Sequence, residues 1–241
     1  MTSDTHPDAP GDNGPRRADL NSAASKSRGS DVHLKNPDLH GMAPDSSSVA
    51  LLIIDMINDM EFPGGDVLYE QTRPLADRVL ALKQRCHKAG IPVVYVNDNF
   101  GRWQSDFQSV VDHVKKEQKD GKYLRGRELA QLLEPEAEDY FVLKPKHSGF
   151  YSTTLDLLLK YLGSRTLILT GVAGDICVLF TANDAYMREF DLVVPSDGIA
   201  SESSERNRHA IEIMAQVLKA QTPRMDEIDL QALLQEQPTG S

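Results

Sequence analysis

A chain of 241 residues with 36 acidic against 26 basic side chains, a formal charge of −10, lacks the basic surface that nucleic-acid binding needs. Its two cysteines, Cys86 and Cys177, sit in unrelated settings and give no disulfide framework, and no apolar run approaches the length of a membrane span. The composition fits a soluble cytoplasmic enzyme whose partner is a small molecule, with neither nucleic acid nor membrane involved.

Residues 1–46 are rich in Pro, Gly, Ser, Asp and Asn and show no apolar periodicity. Such a stretch buries too little surface to offset its ordering entropy, and it reads as a disordered N-terminal extension. It has no apolar centre of the secretory kind, and its aspartates fit poorly with a transit peptide. Residues 47–234 form one domain, large enough for a single α/β core, and residues 235–241 read as a flexible tail.

Within the domain, strands are expected near 49–54, 91–96, 140–143, 166–170, 191–194 and 218–222. Helices are expected near 72–89, 106–119, 125–133, 153–162, 175–188 and 203–217. This alternation predicts an α/β fold of three layers, α/β/α, with a mainly parallel six-stranded sheet and helices on both faces. Gly171 and Gly174 are followed by Asp and Cys, without the third glycine of a dinucleotide loop, so no cofactor is expected.

Three strand ends carry chemistry. The apolar run Val49-Ala-Leu-Leu-Ile-Ile ends in Asp55, Tyr140-Phe-Val-Leu ends in Lys144 before Pro145, and Thr166-Leu-Ile-Leu-Thr-Gly-Val-Ala-Gly-Asp-Ile leads to Cys177. Open α/β sheets place ligands at the carboxyl edge of their strands. A thiol at the start of a helix there faces unpaired N–H groups and the positive dipole end, which favour thiolate. Each residue also has an ordinary explanation alone: a small core thiol, a turn-forming Asp, a solvated Lys. Together they supply nucleophile, base and cation.

Over about residues 48–222 the chain resembles the isochorismatase-like cysteine hydrolases, a family that includes nicotinamidases and carbamoyl-amidases. The resemblance rests on Leu51-Leu-Ile-Ile-Asp55, Lys144-Pro-Lys-His-Ser-Gly-Phe-Tyr-Ser-Thr154 and Gly171-Val-Ala-Gly-Asp-Ile-Cys177-Val, with Thr181-Ala-Asn-Asp-Ala185 and Pro195-Ser-Asp197 after them. It implies a catalytic triad of Asp55, Lys144 and Cys177, in which Asp55 takes the thiol proton, Lys144 holds the pair and the thiolate forms an acyl-enzyme. It further implies an oxyanion hole from the backbone N–H groups of Ala173 and Cys177, a cis peptide between Val172 and Ala173, and a homo-oligomer, dimer or tetramer.

Departures from the family pattern narrow the chemistry. Asp98 stands at the first position of the nicotinamidase Asp-x-His metal motif, but Phe100 replaces the His. No metal is therefore expected, and nicotinamide is a poor first guess for the substrate. Ile57 replaces a common glutamine and Met60 a common aromatic, with Phe62 close by. Retention of Cys177 favours C–N cleavage of an amide, ureide or carbamoyl compound. The alternatives are vinyl ether hydrolysis of the isochorismatase type and a catalytically idle binding protein. Phe62, Asn97, Trp103, Phe150 and Tyr151 are candidates for the substrate pocket, although aromatics at such positions serve equally well as core or interface. Cys86 and His209 read as structural, and Arg102, Arg125 and Arg127 as surface residues unless one anchors a substrate carboxylate.

Overall fold

β1 (Val49–Ile54) is apolar at every position, and it lies at the centre of the sheet with all six residues buried. The computed structural model describes residues 46–99 and 106–235. Apart from Ser46 and Gln235, the expected extension and tail fall outside them. The remaining elements are α1 (Gly65–Lys88), β2 (Val93–Asp98), α2 (Phe107–Lys116), a small hairpin of β3 (Gln118–Lys119) and β4 (Lys122–Tyr123), and α3 (Arg127–Leu132). β5 (Tyr140–Lys144), α4 (Leu155–Leu162), β6 (Thr166–Val172) and, after a π-helical turn at Gly174–Val178, α5 (Leu179–Tyr186) follow. The chain closes with β7 (Asp191–Val193), β8 (Ile199–Ala200), α6 (Ser204–Gln216) and α7 (Leu230–Gln235).

The strands run in the order β5-β2-β1-β6-β7, all parallel, with β8 paired to the far end of β6. The α/β fold with a six-stranded, mainly parallel sheet is therefore as expected, and its side chains divide by the period of two. Val49, Leu51 and Ile53, with Val93, Tyr95 and Ile168, pack beneath α1, α2, α3 and α7. Ala50, Leu52 and Ile54, with Val94, Val96, Leu167 and Leu169, pack against α4, α5 and α6.

Two expectations need correction. The sixth strand is β8, not 218–222; that segment makes a single parallel bridge between Gln221 and Val193. Lys219 there has φ 58, outside the extended region a strand requires. α1 begins at Gly65 rather than near 72 and carries Pro74 inside it. Proline removes one main-chain bond, but Gly65, Leu68 and Thr72 are buried ahead of it, and their packing holds the first turns.

At the amino edge of the sheet a buried ion network joins α1 to the segment before β5. Lys83, 1% exposed, lies 2.7 Å from Asp139 Oδ2 and 3.1 Å from Glu136 Oε1, and donates to Glu134 O at 3.2 Å. The fully buried Asp139 carboxylate also meets His87 Nε2 at 2.7 Å and accepts the Glu136 N–H at 2.7 Å.

Candidate active site

The ladder registers align the carboxyl ends of four strands: Ile54 faces both Val96 and Gly171, and Asp98 faces Lys144. Asp55 follows β1 with φ 51, a left-handed conformation that costs a non-glycine residue on the order of 1 kcal/mol or more and clusters at functional sites. Its N–H donates to Val96 O at 2.9 Å, and its Oδ1 accepts the Asp98 N–H at 2.7 Å. The second oxygen, Oδ2, lies 2.8 Å from Lys144 Nζ. Lys144 closes β5, is 1% exposed, donates to Cys177 Sγ at 3.5 Å and stands 3.9 Å from Asp98 Oδ2. Cys177 sits in the π-helical turn ahead of α5, half-buried above the two charged groups. The structure thus brings all three sequence candidates together.

Burial raises the Asp55 pKa, while Lys144 and hydrogen bonds from the Cys177 thiol and the Lys144 ammonium pull it back only in part. Burial pulls Lys144 down, but the charges of Asp55 and Cys177 overcome it and leave the ammonium above its ordinary value. The Cys177 thiol is pushed up to about 12 by burial and then by the Asp55 charge, against the opposing pull of Lys144. The direction is opposite to that expected from the helix start: burial and the neighbouring Asp55 charge favour the thiol over the thiolate. Lys144 Nζ, in contact with both Cys177 Sγ and Asp55 Oδ2, holds the thiol beside the carboxylate able to take its proton.

Just before Cys177 the Val172–Ala173 peptide is cis. Gly171 precedes it at φ 115, where an added Cβ would lie 2.0 Å from Ile54 O, so only glycine lets β6 approach β1 there. Ala173 O accepts the N–H groups of Ile176 and Val178, each at 3.1 Å, which curls the chain into the turn that carries the thiol.

The pocket candidates separate. Phe62 and Tyr151 are exposed on the loops after β1 and β5. Asn97 is fully buried and its Nδ2 donates to Ile57 O, which makes it a brace for the loop after β1. Phe150 is 5% exposed, with its ring 6.0 Å from Phe190 and 4.8 Å from the Arg188 guanidinium, in the apolar cluster against which Cys177 packs. It belongs to the core. Trp103 and Arg102 lie outside the described residues. Arg125 donates to Met60 O, Arg127 stacks on the Tyr123 ring at 3.5 Å, and His209 is exposed on α6. Arg125 N–H also donates to Glu61 and Gly126 N–H to Asp59 O, both at 3.0 Å, so the 118–127 segment is strapped onto the loop after β1.

Sequence reasoning missed Thr181, fully buried, which donates to Cys177 O at 2.7 Å and accepts the Gly149 N–H at 3.0 Å. Thr181 stands in the sequence motif without a role, because its bond to Gly149 joins positions 32 residues apart and leaves no periodic signal. Among the described residues, three side chains close enough to share a metal ion are His87, Glu136 and Glu138, at the other edge of the sheet. At the candidate site Asp98 offers a carboxylate, but the Phe100 side chain has no ligand atom, so the Asp-x-His donor set is incomplete.

Residues 49–224 match the model of the isochorismatase domain. The chain is 42% identical over 179 residues to YaaI of Bacillus subtilis (strain 168), an uncharacterized isochorismatase family protein, covering 74% of this chain and 95% of YaaI. It is 29% identical over 181 residues to the ureidoacrylate amidohydrolase RutB of Methylorubrum extorquens, covering 65% of this chain and 71% of RutB. Among solved structures it is similar to N-carbamoylsarcosine amidase from Thermoplasma acidophilum, with a TM-score of 0.58 and 28% identity over 76% of this chain and 99% of that one.

Proposed function

The chain belongs to the isochorismatase family of hydrolases, and from that premise we propose that it is a cysteine-dependent amidohydrolase of small amide, ureide or carbamoyl compounds. The observation that carries this reading is the Lys144 ammonium, buried between Asp55 Oδ2 at 2.8 Å and Cys177 Sγ at 3.5 Å. The amidohydrolase and amidase names of two relatives support the same bond class.

In the proposed reaction Cys177 Sγ attacks the carbonyl carbon while its proton passes to the Asp55 carboxylate. Lys144 stabilises first the carboxylate and then the sulfur's developing charge, and its own proton stays in place. The tetrahedral oxyanion is met by the N–H groups of Ala173 and Cys177, donors worth roughly 3 kcal/mol each in the transition state. Collapse breaks the C–N bond, the leaving nitrogen takes the proton from Asp55, and a thioester remains on Cys177. Asp55 then deprotonates a water that attacks the thioester, releasing the acid and restoring the thiol. A raised carboxylate pKa makes Asp55 a stronger base than an exposed aspartate, so the same burial that keeps the thiol neutral equips the carboxylate to remove its proton.

A screen of small amides, ureides and carbamoyl acids, read by ammonia release, tests the proposal together with mass-spectrometric trapping of the acyl-enzyme. Turnover with an acyl group on Cys177 is expected. Wild-type turnover in Cys177→Ala would overturn it and favour vinyl ether or other non-covalent chemistry. An inert thiol with no turnover would leave the chain a binding protein.

A further inference from the structure

A buried polar chain buttresses the turn before Cys177, and none of its members takes part in the proton transfers proposed above. Ser201 directly follows β8 and is 1% exposed. Its hydroxyl accepts the Asp175 N–H at 3.0 Å and donates to Asn207 Oδ1 at 2.9 Å, and Asn207 Nδ2 donates to Ile199 O at 3.2 Å. Arg206 closes the outside, with Nε 3.1 Å from Asp175 Oδ2. Gly174 is pressed against this group so closely that an added Cβ would lie 2.3 Å from Asn207 Oδ1, 2.9 Å from Ile199 Cδ1 and 3.2 Å from Ser201 Oγ. The support therefore falls on Gly174 and Asp175, between the two amides assigned to the oxyanion.

Resting on that proposed function, we infer that Ser201, backed by Asn207, is a positioning residue that aims the Ala173 and Cys177 N–H groups at the oxyanion. Its hydroxyl fixes the Asp175 amide from one side while Asn207 fixes the hydroxyl from the other, so the turn has one orientation instead of several. Such a residue leaves the thiol's ionisation to Asp55 and Lys144. It acts only where negative charge develops on a carbonyl oxygen.

Two probes of one sulfur isolate that effect. With p-nitrophenyl acetate, Sγ attacks an ester carbonyl, an oxyanion forms, p-nitrophenolate leaves and the thiol proton goes to Asp55. With iodoacetamide, Sγ attacks a methylene carbon, iodide leaves and the proton again goes to Asp55, but no oxyanion arises. Ser201→Ala is expected to slow acylation of Cys177 about 10-fold or more, as loss of aim at an oxyanion site does, with alkylation unchanged. Ser201→Thr, which keeps the hydroxyl, is expected to restore acylation. Asn207→Ala is expected to act in the same direction and to add little to Ser201→Ala in the double variant, and it carries the test if Ser201→Ala does not fold. Equal acylation of wild type and variants overturns the inference, as does a parallel fall of acylation and alkylation, which marks a merely structural role. A wild-type Cys177 that is alkylated but never acylated instead overturns the acyl-enzyme reading, and this inference with it.

Discussion

The sheet holds a buried lysine at each edge, and the two are used in opposite ways. Lys83 and Lys144 are each 1% exposed and each contact an aspartate, at 2.7 and 2.8 Å. At the amino edge, Asp139 also meets His87 and a backbone N–H, and Lys83 also meets Glu136 and a carbonyl, so each buried charge is held by several partners and none of them is a nucleophile facing a ligand. At the carboxyl edge the set includes a half-buried thiol. Burying an ion pair is costly in both places. What separates a brace from a reactive centre is whether one member of the group is a nucleophile within reach of a ligand.

The strongest way to break this contrast is to remove the groups at the carboxyl edge. Asp55→Asn and Cys177→Ala are each expected to lower kcat per folded molecule by on the order of a thousandfold or more, and the double variant to cost little more than either alone. Steady-state rates, with circular dichroism as the control for folding, check this. At the amino edge the outcome is inverted. Lys83→Ala leaves the Asp139 carboxylate buried without its cation and is expected to destabilise the protein by about 3–5 kcal/mol, measured by urea unfolding, with kcat per folded molecule unchanged.

The two cysteines sharpen the comparison further. Burial pushes both thiols up to about 12, yet only Cys177 shares a lysine with a carboxylate, through Lys144 and Asp55. Iodoacetamide at neutral pH is therefore expected to modify Cys177, spare Cys86 and lose its target in Asp55→Asn, as peptide mapping will report. Because Asp55 is raised above its ordinary value of 3.8, kcat/KM is expected to fall with decreasing pH through a limb lying above that value. For stability the sign is that of groups kept protonated by folding. The contribution of each thiol is complete below its unfolded pKa of 9.0 and is lost as pH rises toward about 12. Unfolding free energy should decline over that window, less steeply in Cys86→Ala. The smallest expected effect is that of a chelator. With Phe100 in the histidine position of the metal motif, exhaustive dialysis against one should leave turnover unchanged, and loss restored by zinc, iron or manganese would count against the metal-free reading.

Most of the carboxyl edge was legible because its signals are local. Unbroken apolar runs ending in Asp55, Lys144 and near Cys177 mark buried parallel strands and their exits, and the register then forces the three ends together. Features made by contacts between distant segments left no trace. β8 is two residues long and too short for any periodicity, whereas 218–222 has a strand-like pattern but a positive φ at Lys219. Phe150 reads the same in sequence whether it walls a pocket or fills the space between α4 and α5. The direction of the Cys177 shift is not legible in sequence, since the helix start favours thiolate while burial and the Asp55 carboxylate that oppose it arise only in the tertiary structure.

The register that aligns Asp98 with Lys144 and Ile54 with Gly171 has a consequence for how the protein ages under mutation. The distances among the reacting groups are dictated by main-chain ladders, whose rungs every residue except proline supplies regardless of its side chain. Substitutions among the apolar residues of β1 and β6 therefore erode durability before speed: the molecule spends less of its time folded, but each folded copy keeps its pace.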